Sequence, residues 1–251
     1  MNMHTKIGNI HVVCFQWGTR YPAVYVNNLK NMVKRHLSVP HVFHCLTDSE
    51  AGIDRDVVTH PIPNMEIPGN WRKLSTFQDN FLQLNGEFIL YIDLDMIIMG
   101  ELDFALEHPE HTFVITKNWS KTGTRANSCI YRLKVGAHTE VWNKFIASPQ
   151  TFIDQHYGKN KLFGDQKWID YMFDSFHFFP EGKVVSFKKH CHAKGHRILG
   201  LNTARFGKAK VPPGASVISF HGDPLPPDIA NGPSGKWRQA PFVNEHWHSC
   251  T

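Results

Sequence analysis

Short apolar runs and a few helical stripes, separated by turn-forming residues, set the rhythm of this 251-residue chain. Ile10 to Phe15 (IHVVCF) reads as a buried strand that runs into the turn-like QWGTRYP. From Tyr25 to His36 the spacing of Val26, Leu29 and Val33, with Leu37 beyond, predicts an amphipathic helix. His41 to Thr47 predicts a second strand and Val57 to Ile62 a third, ahead of the proline-broken PIPNMEIPGN. Trp71 to Leu84 places Leu74, Phe77, Phe81 and Leu84 on one helical face. Later strands are expected at Thr112 to Thr116, Ser128 to Leu133, Lys183 to Phe187 and Ser216 to Phe220, with helices at His138 to Ala147 and Asp165 to Phe173. Alternating strand and helix in the first part of the chain predicts an α/β fold, a mostly parallel twisted sheet flanked by helices. Neither a repeat nor a linker interrupts the pattern, so residues 1–251 read as one domain.

The stretch Glu87 to Leu102, EFILYIDLDMIIMGEL, holds the chemistry. Asp93 and Asp95 interrupt its apolar run, and residues two apart on a strand project to one face. Two carboxylates about 5–7 Å apart repel each other and are costly to desolvate. A divalent cation between them removes both problems, and carboxylate oxygens suit Mg²⁺ or Mn²⁺. The plainer reading is that the pair ends a strand in solvent. In open α/β sheets ligands bind beyond the carboxyl ends of the strands. Asp93 and Asp95 stand at such an end, as do the Cys14 to Tyr21 turn and His221 after VISF. Three strand ends distant in sequence are therefore expected at one site.

Composition narrows the classes. The five cysteines are widely spaced and form no CxxC pair, so neither a zinc knuckle nor a disulfide framework is suggested. They read as reduced thiols of a cytoplasmic protein. The N-terminus lacks a signal peptide's apolar core, and the sequence holds no apolar run long enough to span a membrane. A formal charge of +5 favours anions, among them nucleotides, acidic glycans, nucleic acid and the headgroups of a membrane surface, without choosing between them. The Lys and Arg residues read as diffuse rather than striped, which disfavours a nucleic-acid groove.

Four segments then carry a resemblance. YIDLDMIIMGELD resembles the metal-binding Asp-x-Asp of nucleotide-sugar glycosyltransferases with the GT-A (Rossmann-like) fold. ANSCIYRL, at Asn127 and Ser128, resembles the Asn-Ser-Gly-Val strand of the glycogenin and bacterial galactosyltransferase-like family, which lines the donor sugar. GDQKWID, at Asp165 and Gln166, resembles its Asp-Gln helix start beside the anomeric carbon, and SFHGDP, at His221 and Gly222, its late His-x-x-Gly segment. The matches keep their order from about residue 8 to residue 225. Cys129 stands where glycine is usual, and the lysine-proline-tryptophan expected after His221 is absent.

The resemblance implies a nucleotide-binding half over about residues 1–105 and an acceptor and sugar half over about 106–251. It implies transfer of a sugar from a nucleoside-diphosphate sugar, UDP-sugar favoured, to a hydroxyl acceptor, with a glycan preferred and modified DNA as an alternative. A catalytically inactive carbohydrate-binding protein of the same fold is the other alternative. Mn²⁺ or Mg²⁺ would be held by Asp95 and His221, with Asp93 on the metal, the ribose or both. Cys14, Gln16, Tyr21 and Lys73 are expected at the nucleotide. Arg72, Asn127, Ser128 and Gln166 are expected at the sugar. Gly222 is expected at the phosphates, with Lys236 or Arg238 in place of the missing lysine. Asp165 would accept the acceptor's proton in an inverting enzyme or steady the sugar's developing cation in a retaining one; it equally suits a helix N-cap. Arg72 and Lys73 equally suit a solvated first helical turn.

Overall fold

The computed structural model describes residues 6–120, 123–157 and 164–248. The described residues form twelve strands: β1 (Ile10–Gln16), β2 (His41–Thr47), β3 (Val58–Pro61), β4 (Phe88–Ile92), β5 (Met96–Ile98), β6 (Phe113–Lys117), β7 (Ala126–Lys134), β8 (His177–Phe178), β9 (Val184–Ser186), β10 (Arg197–Ile198), β11 (Leu201–Asn202) and β12 (Val217–Ser219). The helices are α1 (Ala23–His36), α2 (Thr139–Ile146), α3 (Pro149–Tyr157), α4 (Asp165–Met172), α5 (Phe187–His190), α6 (Pro226–Ala230) and α7 (Phe242–His246). Seven strands make the main sheet in the order β3-β2-β1-β4-β7-β6-β8. The first four are parallel, β7 runs antiparallel to both its neighbours, and β8 is parallel to β6. The sheet is thus mixed and mostly parallel, as the pattern predicts.

Period-two alternation sorts β1 cleanly. Val12 and Cys14 face one core with Val26, Leu29 and Val33 of α1, whereas Val13 and Phe15 face another with Leu74, Phe77, Val141 and Trp168. A second sheet, β5-β12-β9, packs into the α1 core through Ile97, Ile98, Val217 and Ile218. Lys34, Arg35 and His36 in the last turn of α1 complement its dipole. Lys30 of the same helix pairs with Asp54 at 2.9 Å and Asp56 at 2.7 Å and anchors the turn before β3.

The region from Trp71 to Leu84 departs from expectation. Two 3₁₀ segments, Gly69–Phe77 and Phe81–Gln83, replace the continuous helix. Ser75 and Thr76 donate their hydroxyls to the carbonyls of Arg72 and Lys73, each at 2.8 Å, which satisfies the tighter winding locally. Asn80 (φ 50°) and Leu82 (φ 52°) then turn left-handed and end it. Only one α-helix therefore lies among the first five strands. The 3₁₀ winding buries Trp71 against Phe145, rings parallel at 5.2 Å, and sends Lys73 inward.

Candidate active site

Asp93, Leu94 and Asp95 form the turn by which the chain leaves the main sheet at β4 and enters the second sheet at β5. The carboxylates are not on one continuous strand, as expected from their spacing, yet both face the same cavity. The Asp93 N–H donates to the Cys129 carbonyl on β7 at 2.9 Å, and the Phe220 N–H donates to the Asp95 carbonyl at 3.1 Å. The second bond extends the β5–β12 ladder by one step, so His221 and Gly222 leave β12 beside Asp95. Between β6 and β7 the register jumps from Ile115–Tyr131 to Thr116–Asn127. Such bulges re-aim side chains, and here Asn127 and Ser128 line the cavity. Opposite them, α4 begins at Asp165 and completes a hollow of about 500 Å³, a size suited to a small-molecule site.

One end of this hollow is electrostatically complete. Lys73, 4 % exposed, places its ammonium 3.0 Å from Asp93 and 3.4 Å from Asp165. Burial alone would push Lys73 down, but the carboxylates of Asp165 and Asp93 outweigh it and keep the ammonium charged. The Tyr91 hydroxyl adds a 2.5 Å bond to Asp93. Asp165 is pushed above the usual carboxylate range by burial, with Lys73 and Ser128 opposing. Its Oδ2 accepts no aligned hydrogen bond and is answered by the charge of Lys73 at 3.4 Å instead.

The other end lacks such compensation. Asp95 is 7 % exposed, and its Oδ2 accepts only two long bonds, from the Tyr21 hydroxyl and the Gly222 N–H, each at 3.3 Å. Burial, and then the charge of Asp93, push its carboxyl up to about 6. His221 lines the cavity as a residue, but its ring stacks on Trp119 at 5.6 Å, and its Nε2 shares a 2.6 Å hydrogen bond with the Ser186 hydroxyl. That desolvation, with Lys188 and Lys189 nearby, holds the imidazole below its ordinary value. His221 (φ 33°) and Gly222 (φ 80°) both turn left-handed, which folds the chain back into the cavity. A carboxylate short of partners beside a neutral imidazole suits a divalent cation with mixed oxygen and nitrogen ligands. Among the described residues, the ligand atoms of Asp93, Asp95 and His221 do not gather within 4.8 Å of one another; His108, Glu110 and His111, before β6, are the group that does.

The same architecture occurs in solved enzymes. Glycosyltransferase GlyE of Streptococcus pneumoniae TIGR4 matches 96 % of this chain and 60 % of its own, with TM-score 0.59 and 13 % identity. Galactosyltransferase LgtC, solved with donor and acceptor sugar analogs, matches 86 % of this chain and 88 % of its own, with TM-score 0.55 and 11 % identity. An active-site mutant of LgtC matches at TM-score 0.56 and 11 % identity. The fold is that of GT-A-like glycosyltransferases. The chain spans about three fifths of GlyE. No family model and no curated protein matches the sequence.

Within this fold, Tyr21, Lys73, Asp93, Asp95, Asn127, Ser128, Asp165, Gln166, His221 and Gly222 line one cavity. Four other expected contacts lie outside its lining. Cys14 is buried toward α1 because strand alternation points it away. Gln16 is buried at the end of β1, where it takes the Thr47 hydroxyl and donates to the Tyr21 carbonyl at 3.0 Å. Arg72 donates back to the carbonyls of Ile67 and Met65 and lies over the Trp17 ring. Lys236 is exposed, its ammonium 5.2 Å from the Trp237 ring. Asp165 does not cap α4, whose N-cap residue is Gly164; it stands in the first turn instead. The fold adds Asn70, Tyr91, Ser186, Lys188 and the stacked Trp119 to the site's surroundings. Lys188 donates to the His221 carbonyl at 2.9 Å, near the place expected for the missing basic residue. Only tertiary pairing of β9 with β12 brings it there.

Proposed function

We propose that this chain is a metal-dependent glycosyltransferase that moves a sugar from a nucleoside-diphosphate sugar, UDP-sugar favoured, to a glycan hydroxyl. The observation that carries the reading is the asymmetric cavity: two carboxylates held by one lysine face a third, poorly partnered carboxylate beside a neutral imidazole. Asp95 and His221, with Asp93, would hold Mn²⁺ or Mg²⁺, which supplies Lewis-acid charge for a leaving diphosphate. Tyr21 would border the nucleotide and Gly222 the phosphates. Asn127, Ser128 and Gln166 line the wall where the sugar would sit. Asp165, desolvated and paired with Lys73 at the wall of the cavity, is suited either to take a proton from an incoming hydroxyl or to face a developing sugar cation.

The structural neighbours support the reading by their fold, and the LgtC structure with sugar analogs supports a donor-and-acceptor chemistry. Thermal-shift screening against UDP-, GDP- and ADP-sugars, with and without Mn²⁺, tests it. One donor should stabilise the protein by several degrees only when Mn²⁺ is present. Equal shifts in EDTA would remove the metal from the proposal, and no shift with any nucleotide sugar would reject the donor class.

A further inference from the structure

Charge is distributed less evenly than the whole sequence suggests. From Lys183 to Gly222 the chain carries eight Lys and Arg and no Asp or Glu, which leaves the remainder net negative. In the fold, Lys188, Lys189, Lys194 and Arg238, with His192 and His196, line a hollow of about 370 Å³ that has no acidic residue. The same segment carries the hairpin β10–β11, tied down where the Gly195 N–H reaches the Lys236 carbonyl (2.7 Å) and the Thr203 N–H the His196 carbonyl (2.8 Å). Its apolar residues face outward. Ile198 is 59 % exposed, Leu199 98 %, Leu201 65 % and Phe206 65 %. Ile198 and Leu201 are cross-strand partners and so share a face, with Leu199 at the tip between them. Leu199 (φ 49°) and Gly200 (φ 80°) give the two left-handed positions of a tight hairpin turn.

We propose that this face docks on an anionic lipid bilayer, with the hairpin tip in the interface and the basic hollow against headgroup phosphates. A soluble surface seldom groups large apolar side chains this way, and a basic rim is what a negatively charged leaflet attracts. Each Lys or Arg near such a leaflet strengthens binding roughly fivefold, and the effect fades over a Debye length. A three-residue apolar tip is too small for a stable protein interface, and nucleic acid offers nothing to bury it. The docking face does not depend on the chemistry of the cavity. It adjoins it, however, since Lys188 contacts both the hollow and the His221 carbonyl.

Co-sedimentation of the full chain with phosphatidylcholine vesicles, with and without about 30 % phosphatidylglycerol, tests the inference. The protein should pellet with the anionic vesicles, stay in solution with the neutral ones, and be released by high salt. A tip variant combining Ile198→Ser, Leu199→Ser and Leu201→Ser, and a charge variant combining Lys194→Glu and Arg197→Glu, should each weaken binding by about tenfold or more while melting as the parent does. Absence of vesicle binding by the parent, or undiminished binding by both variants, would overturn the proposal. So would binding to DNA that the tip variant retains in full, without any vesicle binding. A concentration-dependent dimer abolished by the tip variant, again without vesicle binding, would reassign the tip to self-association.

Discussion

The two ends of the cavity hold the same kinds of group in opposite states. At the Lys73 end, one buried ammonium answers two carboxylates, and Tyr91 fills a remaining acceptor position. At the Asp95 end, an equally buried carboxylate meets only a phenol and one backbone N–H, both at 3.3 Å. Its imidazole neighbour is neutral and brings no charge. Proteins rarely leave a buried charge without a counter-charge unless something else supplies it. The difference teaches that the first end is built to stand by itself, whereas the second is built to be completed by a ligand.

Removing Lys73 should break the self-sufficient end most severely. Lys73→Met leaves the buried Asp165 and the half-buried Asp93 without their shared cation, at a cost of about 3–5 kcal/mol in urea unfolding. Adding Asp165→Asn should recover part of that loss, because one of the two orphaned charges disappears. Additive losses in the double variant would show that Lys73 is not shared between the two.

At the other end the balance reverses. Asp95→Asn should lower sugar transfer by about a thousandfold, or about 4 kcal/mol of transition-state stabilisation, while leaving unfolding in EDTA no easier than in the parent. Activity within tenfold of the parent would remove Asp95 from the metal-binding role.

Much of this contrast is visible in the sequence, but only where local rules decide it. The apolar run to Ile92 and its interruption at Asp93 and Asp95 coincide with the edge of the cavity, because a central strand covered on both faces needs that composition. Asp165 and Gln166 are legible because they open a helix after glycine. Choosing between Arg72 and Lys73 is beyond a helical template, since the segment winds as 3₁₀ and turns Lys73 inward. Cys14 is misplaced by proximity in sequence: it sits near the strand end, but alternation sends it toward α1. Nothing local in the sequence places Ser186, Trp119 or Lys188 beside His221. They reach His221 only through the pairing of β9 with β12 and the packing of the loop after β6.

A pH titration of the metal-free protein sharpens the comparison at intermediate size. Asp95 is raised from 3.8 unfolded to about 6 folded. Folding therefore favours its protonated form: its contribution is fully present below pH 3.8 and is lost as pH rises through 6. The loss is at most about 3 kcal/mol. His221 works in the opposite direction, its lowered value costing stability as pH falls below the ordinary imidazole range. Subtracting the Asp95→Asn curve from the parent curve cancels the histidine and leaves the carboxylate. The difference should fall with pH between about 4 and 6 in EDTA and flatten when Mn²⁺ is added. A difference that rises over that window would mean Asp95 is better partnered than its two long bonds suggest.

The smallest expected effect concerns the orientation of His221. Its Nε2 meets the Ser186 hydroxyl at 2.6 Å, and Trp119 stacks on the ring, so two neighbours fix its plane. A metal-binding imidazole commonly gives its second nitrogen to such a partner, which sets the tautomer and raises the basicity of the ligating atom. If Nε2 donates to Ser186, Nδ1 would be the ligating atom, exchanging its contact with the His221 backbone for the cation. Ser186→Ala should then weaken Mn²⁺ binding about tenfold by isothermal titration, and Ser186→Thr should restore most of it. The hydroxyl also caps α5 by accepting the Lys189 N–H at 3.3 Å, so the alanine variant loses about 1 kcal/mol of stability as well. The threonine variant keeps both bonds and separates the cap from the ring. If Ser186→Ala instead tightened Mn²⁺ binding, the hydroxyl would be a competitor for Nε2, and the ligating nitrogen would be the opposite one.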